Sequence, residues 1–420
     1  MSMIRRLGTA ALILAATPAF AAVHLLYIVN GSPVAVSWPA SSFPIRYVVD
    51  SSVASAFPPG VIERAVDDWT VIPGAQVSFE DGGVMNGIKA GKDGQNSITF
   101  VDGLFKNQNF LAVTTNWYDD TGHMAEADVQ IDPSVVHGGY NLELLVEHEF
   151  GHVLGLDHSG VLSSIMYPFV GSGGVTALDT DDEVSIANLY PERGKTADRA
   201  TLSGRVMGDN GGIFAAQVVA MDGNGSPVAT ALTDQQGHFE IDGVPPGTYQ
   251  IYAEPLDGPV YVQNLSGMYQ TAKAYSFPTS FIDGGSLQVE AGHYYGNLMI
   301  NSVGTTTLNP KWVGATDASR DDLALGCMTV LVNAGHTMKI AVGGDGFISG
   351  TTTFDIPNPN FKRVSDFSYA GNYVYATFEI SPAAQPGAIT ILVKSGNDSA
   401  ALTGALRVMA VQSRGRAARG

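Results

Sequence analysis

The feature that most constrains this chain is the segment HEFGHVLGLDH, which begins at His148. His148 and His152 are four residues apart, so on a helix both imidazoles project from one face. Gly155 can adopt a positive φ, which lets the helix end and the chain turn sharply. That turn can bring His158 towards the same point. Three imidazole ligands of this kind predict a zinc site that keeps a fourth position open for water.

A carboxylate stands between the two helical histidines. Glu149 should point beside the metal without binding it, where it can take a proton from a zinc-bound water and pass it to a leaving amine. An HExxH motif alone can arise by chance. The additional Gly and His at fixed spacing argue against ordinary helix histidines, and a purely structural zinc site would leave Glu149 without a task.

Further motifs accompany this segment. They are PIRYVVD at 44–50, a helix ending in Asp68-Trp69, EADV at 126–129, SIMYP at 164–168 and LDTDD at 178–182. Together they resemble the matrixin subfamily of the metzincins, the family of the matrix metalloproteases, over about residues 40–192. The resemblance implies a zinc metalloendopeptidase with a metzincin α+β catalytic domain, which is a twisted mixed sheet plus an active-site helix.

The resemblance also implies individual roles. Met166 would form the Met-turn below the zinc. The stretch 111–118 would be an edge strand to which a peptide adds as an extended strand, with Leu111, Ala112 and Val113 among the substrate-binding residues. Tyr167 and Pro168 would wall the main specificity pocket, although simple core packing explains these two residues equally well.

One catalytic zinc is the expected metal. Animal matrixins hold a second, structural zinc with a His in a Leu-Ala-His segment, but here Leu111-Ala112 is followed by Val113. Ca²⁺ is a further candidate, because carboxylate oxygens are its preferred ligands. Its candidate ligands lie in loop-rich stretches without a strong calcium-loop signature, and solvated turn carboxylates are the favoured explanation: Asp102, Asp119, Asp120 and Asp128.

The chain of 420 residues is too long for one core, so several domains are expected. The predicted units are a signal peptide (1–21), the catalytic domain (22–194), a linker (195–200), two β-sandwiches (201–300 and 301–412) and a disordered tail (413–420). Arg5-Arg6, the apolar run 7–16 and Ala19-Phe20-Ala21 form the export signal. We therefore expect a secreted protein, extracellular or periplasmic.

Apolar periodicity places the elements of the catalytic domain. Strands are predicted at 44–50, 97–102, 111–118 and 127–131, and helices at 59–72, 141–154 and 179–189. Asn141 is the expected cap of the helix that carries the metal ligands.

The C-terminal part has a different pattern, with alternating apolar and polar residues and many Gly-containing turns. DQQGHF at 234–239 followed by VPPGTY at 244–249 resembles the carboxypeptidase regulatory-like, transthyretin-type module, and residues 301–412 predict an immunoglobulin-like sandwich. Phe239, Tyr249 and Tyr252 are expected in the core. The residues around Cys327, the only cysteine, predict a buried strand.

Charge limits the partners. The formal net charge is −18, whereas nucleic acid and anionic membranes favour basic patches. We expect no nucleic-acid partner and no membrane span, a protein or peptide substrate, and a surface or matrix partner for the C-terminal β-domains. The alternative is a non-proteolytic secreted binding or adhesion protein, for which the protease-like domain is only a platform.

Overall fold

A computed structural model describes residues 24–29, 32–104, 110–171, 177–194 and 198–409. The predicted signal peptide and tail lie outside the described residues, as does the 195–197 part of the predicted linker. Short 3-10 helices occur at Ala40–Ser42, Asp68–Thr70, Pro133–His137, Val262–Asn264 and Gly267–Thr271.

Among its described residues, the N-terminal part combines a hairpin, a five-stranded sheet and four α-helices. The strands are β1 (Leu26–Val29), β2 (Ser32–Ala35), β3 (Ile45–Asp50), β4 (Phe79–Met85), β5 (Asn96–Phe100), β6 (Ala112–Tyr118) and β7 (Met124–Ile131). The helices are α1 (Ser51–Ala56), α2 (Val61–Asp67), α3 (Leu142–Val153) and α4 (Thr180–Leu189). The sheet order is β4-β3-β5-β7-β6, in which β6 is the edge strand and runs antiparallel to β7 while the other pairs are parallel.

Local sequence explains where the two long helices begin. Asn141 caps α3, because its side-chain oxygen accepts from the backbone N–H groups of Glu143 and Leu144. Asp179 and Asp182 form a capping box at the start of α4. The predicted elements of this region are confirmed, with boundaries that differ by a few residues, whereas the β1–β2 hairpin, α1 and β4 are found only in the structure.

Helix α3 packs on the sheet through a continuous apolar core. Phe150 contacts the rings of Tyr47 and Phe79, with centroid distances of 5.4 Å and 5.3 Å. Trp69 is fully buried beneath the helix and donates its indole N–H to the Glu147 carbonyl. This packing fixes the orientation of α3 and with it the direction in which His148 and His152 project.

Two sheets build the region from Ala200 to Asn301. Its strands are β8 (Ala200–Gly208), β9 (Gly211–Gly212), β10 (Gln217–Asp222), β11 (Pro227–Leu232), β12 (His238–Val244), β13 (Gly247–Glu254), β14 (Ser280–Phe281), β15 (Leu287–Val289) and β16 (Tyr294–Asn301). One sheet has the order β11-β10-β13-β14 with β15 on β13, and the other has β12-β8-β16 with β9 on β8. Both sheets contribute to one apolar core, as in a sandwich. Phe239, Tyr249 and Tyr252 are buried, as expected.

The last region also consists of two sheets around one core. Its strands are β17 (Asn309–Asp317), β18 (Val330–Asn333), β19 (Thr337–Asp345), β20 (Thr353–Asp355), β21 (Phe361–Arg363), β22 (Ser368–Ala370), β23 (Tyr373–Ile380), β24 (Gly387–Ser395) and β25 (Asp398–Met409). The sheet orders are β17-β19-β23-β21, with β22 on β23, and β18-β25-β24-β20.

One prediction for this last region is wrong. Cys327 lies in a bend and is half-buried, and the strand begins only at Val330. The apolar run around the cysteine packs as a loop, because its backbone N–H and C=O groups do not form the regular series of hydrogen bonds of a β-strand. An example is Gly326, whose N–H donates to the Val313 carbonyl.

The β-rich part packs directly on the N-terminal part. Thr230 on β11 donates to Asp181 on α4 over 2.9 Å, and the Leu162 N–H donates to the Thr403 carbonyl on β25 over 2.9 Å. Val184 of α4 joins the core of the first β-region. None of the helices among the described residues is long and apolar enough to cross a membrane.

Candidate active site

The three histidines of the HExxHxxGxxH segment converge. His148 and His152 extend from the same face of α3, and His158 follows after the chain has turned back. One ligand nitrogen of each ring lies within 4.8 Å of the others, and this is the only such cluster of three or more candidate ligands in the described part of the chain. The ring centroids are 4.8 to 5.3 Å apart.

Each ring is oriented by a backbone carbonyl. Nδ1 of His148 lies 2.7 Å from the Ile165 carbonyl oxygen, and Nδ1 of His152 lies 2.8 Å from that of Leu156. Nδ1 of His158 bonds to the carbonyl of Asn264. A carbonyl oxygen can only accept, so all three Nδ1 atoms carry the proton and every Nε2 keeps a free lone pair.

This donor set fits zinc, which binds neutral imidazole nitrogen at about 2.0–2.1 Å. Burial is the main cause that lowers the pKa of His148 to about 3 and that of His152 well below its usual range. Both rings are therefore held neutral, which is the form that a metal ligand requires.

The turn after α3 depends on glycine. Gly155 has φ 94°, and a Cβ there would lie 2.2 Å from the Val36 carbonyl oxygen. The N–H of Leu25 donates to the Gly155 carbonyl, so the chain before β1 lines the turn. Beyond it, Asp157 is 1% exposed and accepts from the His158 N–H over 2.8 Å. These contacts fix the path of the chain to the third ligand.

Glu149 lies in the same site but does not belong to the histidine cluster. It is 3% exposed, and its carboxylate accepts from the Thr114 hydroxyl over 2.6 Å. Burial raises the pKa of Glu149 to about 7, and the hydrogen bond from Thr114 opposes this shift. The carboxyl is thus oriented by the neighbouring strand.

Strand β6 borders the active-site helix. Asn116 donates its amide to the His152 carbonyl over 3.0 Å. Ala112 and Val113 lie at the start of β6, Leu111 directly precedes it, and all three are half-buried. Three of the predicted substrate-binding residues therefore lie in or directly before the edge strand next to α3.

Met166 lies below α3, where it is 2% exposed. Gly151 allows this close packing, because a Cβ at that position would lie 2.2 Å from Met166 Sδ. The turn is anchored by α4, since Asp182 accepts from the Ser164 hydroxyl (2.5 Å) and the Ile165 N–H (2.9 Å). The same Ile165 holds the ring of His148 through its carbonyl, so α4 supports the first ligand.

Tyr167 is buried against the C-terminal region. It is 3% exposed, belongs to the core of the last β-region and donates its hydroxyl to the Cys327 carbonyl. This favours the packing explanation for Tyr167. Pro168 beside it is only half-buried.

Two of the calcium candidates have carboxylates that already accept hydrogen bonds. Asp128 accepts from the Ser97 N–H and hydroxyl and from the Gly91 N–H. Asp119 accepts from Thr121 and His123 within its own turn. A calcium site at these positions stays a prediction.

Sequence reasoning did not identify three residues of this site, namely Thr114, Asp182 as the anchor of the Met166 turn, and Asn264. Thr114 lies at a strand position that alternation could have placed towards α3. Asn264 lies more than a hundred residues beyond the ligands and acts through its backbone, so no local signal points to it.

Comparison with known proteins decides the family of this region. Residues 53–191 match the family model of the matrixins, Peptidase_M10. The chain contains a matrixin domain. Residues 201–261, which follow the matrixin domain, match the carboxypeptidase regulatory-like domain. The resemblances inferred from the sequence are thereby confirmed, and the layout is a matrixin domain followed by a β-rich part.

Curated relatives of the matrixin domain include several peptidases. Matrix metalloproteinase-9 of Canis lupus familiaris is 47% identical over 55 residues, which cover 13% of this chain and 8% of that protein. Matrix metalloproteinase-26 of Homo sapiens is 49% identical over 57 residues (13% and 22%), and karilysin of Tannerella forsythia is 40% identical over 57 residues (14% and 12%). The alignments span less than a quarter of each relative's length. They show that the matrixin domain is similar to that of the matrix metalloproteinases.

Proposed function

We propose that this chain is a secreted zinc endopeptidase that hydrolyses internal peptide bonds of proteins or peptides. The observation that carries the proposal is the convergence of His148, His152 and His158, each with Nδ1 bonded to a carbonyl, around a site that Glu149 borders. The metzincin catalytic fold, a single catalytic zinc and the roles given below are parts of the same proposal.

The residues divide the chemistry between them. When bound by the three Nε2 atoms, zinc lowers the pKa of a coordinated water to about 7 and polarises a carbonyl oxygen. The Glu149 carboxylate takes the proton of the attacking water and later gives it to the nitrogen of the leaving amine. Thr114 keeps the carboxylate in position through its hydrogen bond. Met166 fills the space below the metal ligands.

A peptide substrate would bind as an extended strand. Edge strand β6 pairs only with β7 among the described strands, so its outer side can accept a further strand. Main-chain hydrogen bonds would supply affinity, while Leu111, Ala112 and Val113 would contact substrate side chains. Pro168 would border the specificity pocket. Tyr167 would support that wall from behind, because its own ring is buried.

The rest of the chain fits an exported protein. We propose that residues 1–21 direct secretion and that the β-regions 201–300 and 301–412 bind a surface or matrix partner. The match to the matrixin family model supports protease activity of the N-terminal domain. It does not favour the alternative of a non-proteolytic binding protein. Calcium binding remains a secondary proposal.

The test is cleavage of an unfolded protein by the purified mature chain, with and without a zinc chelator. Glu149→Gln should lower kcat by about 100-fold or more, the scale of a general base, while zinc content stays unchanged. Glu143→Gln is the matched control, since Glu143 lies in the first turn of α3 and bonds to Arg64 instead. A folded, zinc-loaded wild type that cleaves nothing would favour the binding-protein alternative.

A further inference from the structure

A segment of the first β-region reaches the metal site. Residues 257–272, here called the strap, leave the end of β13 and carry two short 3-10 helices. Val262, Leu265 and Tyr269 of the strap are buried. They share an apolar cluster with Leu26 of β1, which belongs to the catalytic region. The strap is therefore packed between the two parts of the molecule.

The strap holds His158 at two points. The Asn264 carbonyl accepts from Nδ1 of His158. The Ser266 N–H donates to one oxygen of Asp157 over 2.7 Å, while the other oxygen of Asp157 accepts from the His158 N–H over 2.8 Å. The ring and the backbone of the third ligand are thus both tied to the strap.

The position of the Asn264 carbonyl is itself well determined. The side-chain oxygen of Asn264 accepts from the Tyr261 N–H over 2.9 Å, and the backbone N–H of Asn264 donates to the Tyr261 carbonyl over 2.8 Å. On the other side, Gly267 has φ 56°, and a Cβ there would lie 2.0 Å from the Leu26 carbonyl oxygen. The strap fits against β1 only because this residue is glycine.

The backbone carbonyls that accept from the three histidine rings come from different parts of the chain. Ile165 and Leu156 belong to the matrixin domain, whereas Asn264 lies outside its matched residues. We propose that Asn264 is a positioning residue for the metal site, and that the strap completes the coordination shell by fixing the tautomer and orientation of His158. This inference rests on the proposed zinc site. It implies that the metal centre of this chain is assembled jointly by the catalytic and the β-rich parts.

Breaking the attachment of the strap tests the inference on the full mature chain. Ser266→Pro removes the backbone N–H that donates to the Asp157 carboxylate. The preceding residue, Leu265, is already extended (φ −87°, ψ 158°), as a proline requires. Ser266 itself has φ −108° and must move towards the value of about −65° that proline fixes, so the substitution also shifts the strap locally. Ser266→Ala keeps the N–H and removes only the hydroxyl, which also bonds to Asp157, so it is the matched comparison for the backbone contact. Zinc affinity of the metal-free protein is measured by competition with a chromophoric chelator, with circular dichroism as the check of folding.

We expect Ser266→Pro to bind zinc about 10- to 100-fold more weakly, the usual effect of losing a partner of a metal-ligating histidine. Ser266→Ala should stay within about threefold of the wild type. Equal affinity in a folded Ser266→Pro variant would overturn the inference. This measurement does not depend on proteolysis, so its failure is distinct from failure of the proposed function.

A second readout separates positioning from general loosening. In the zinc-loaded, ¹⁵N-histidine-labelled protein, the Nδ1–H of His158 should exchange with water at least about tenfold faster in Asn264→Ala, which removes the side-chain bond to Tyr261. The Nδ1–H groups of His148 and His152 should keep their exchange rates, because their carbonyls lie in the matrixin domain. An equal change at all three histidines, or no change at His158, would contradict a positioning role.

Discussion

The hydroxyl of Thr114 donates to Glu149 Oε2 over 2.6 Å, and it lies 3.2 Å from the carbonyl oxygen of the same residue. Thr114 belongs to β6 and Glu149 to α3, so this contact joins the strand that would bind substrate to the proposed general base. A carboxylate that is oriented in this way loses less freedom on reaching the transition state.

Thr114→Val keeps the shape of the side chain and removes the hydrogen bond. We expect kcat to fall about tenfold, the scale of one hydrogen bond to a charged group, with unchanged zinc content. Thr115→Val is the control, because neighbouring strand positions point to opposite faces. Steady-state kinetics on a peptide substrate provide the measurement, and equal losses in the two variants would show that the bond does not matter.

Gly151 is expected to tolerate no side chain. It lies inside α3, where alanine is normally favoured over glycine by about 1 kcal/mol. Here a Cβ would lie 2.2 Å from Met166 Sδ and 3.1 Å from the ring of Trp69. We predict that Gly151→Ala lowers the free energy of unfolding by about 1–3 kcal/mol, as overpacking does.

Chemical denaturation of the metal-free protein checks this prediction. Gly223→Ala serves as the control, because Gly223 is exposed and a Cβ there would have open space. A neutral or stabilising effect of Gly151→Ala would show that Met166 can move aside.

The two neighbouring aspartates of α4 should respond differently to amide substitution. One oxygen of Asp182 accepts from the N–H groups of both Ile165 and Asp179, at 2.9 Å each. An amide NH₂ in its place would face two donors. Reversing the amide would set its NH₂ against the Ser164 hydroxyl, which already accepts from the Met166 N–H over 2.9 Å and would lose its own acceptor. We expect Asp182→Asn to cost about 2–4 kcal/mol of stability, as a buried polar group without partners does.

Asp181→Asn is the matched comparison. Its two oxygens accept from the hydroxyls of Ser159 and Thr230. The Thr230 hydroxyl can rotate and accept from an amide NH₂ instead. Thermal unfolding of both variants gives the measurement. Similar losses in the two would mean that burial alone, and not the donor pattern, determines the cost.

The parts of the site that the sequence predicts are those set by short-range geometry. The spacing of His148 and His152, the cap at Asn141 and the flexible Gly155 all act within one helix and its turn. Each can therefore be inferred without knowing the rest of the fold. Helix α4 is predictable for the same reason, because Asp179 and Asp182 form its cap locally.

Long-range packing determines the features that the sequence does not predict. Tyr167 is buried because Cys327 and the last β-region cover it, and Asn264 bonds to His158 because the strap folds back across the catalytic region. Strand β4 is an exposed edge that contains Gly82-Gly83, so it lacks the alternation that marks a half-buried strand. None of these features leaves a periodic pattern in its own segment.

Glu254 gives the chain a predictable pH dependence. This residue, at the end of β13, is 6% exposed and accepts from Gln217 (2.7 Å) and Thr403 (2.6 Å). Burial raises its pKa to about 7. The two hydrogen bonds oppose this shift, while the nearby Asp257 adds to it. Tyr252, on the same strand, faces the carboxyl as a neutral hydroxyl whose pKa burial raises well above its usual range.

A carboxyl whose pKa is higher in the folded state than in the unfolded chain binds its proton more tightly when folded. Its contribution to stability is complete below the unfolded value near 4.5 and is lost as the pH rises through about 7. Glu254→Gln removes this titration and keeps an acceptor for Gln217. The stability of the variant relative to the wild type should therefore increase between pH 4.5 and pH 8, by up to about 3 kcal/mol. Urea unfolding at a series of pH values measures this difference, in which the titrations of Asp181 and Asp182 cancel, and a constant difference across the range would show that Glu254 titrates normally in the folded chain.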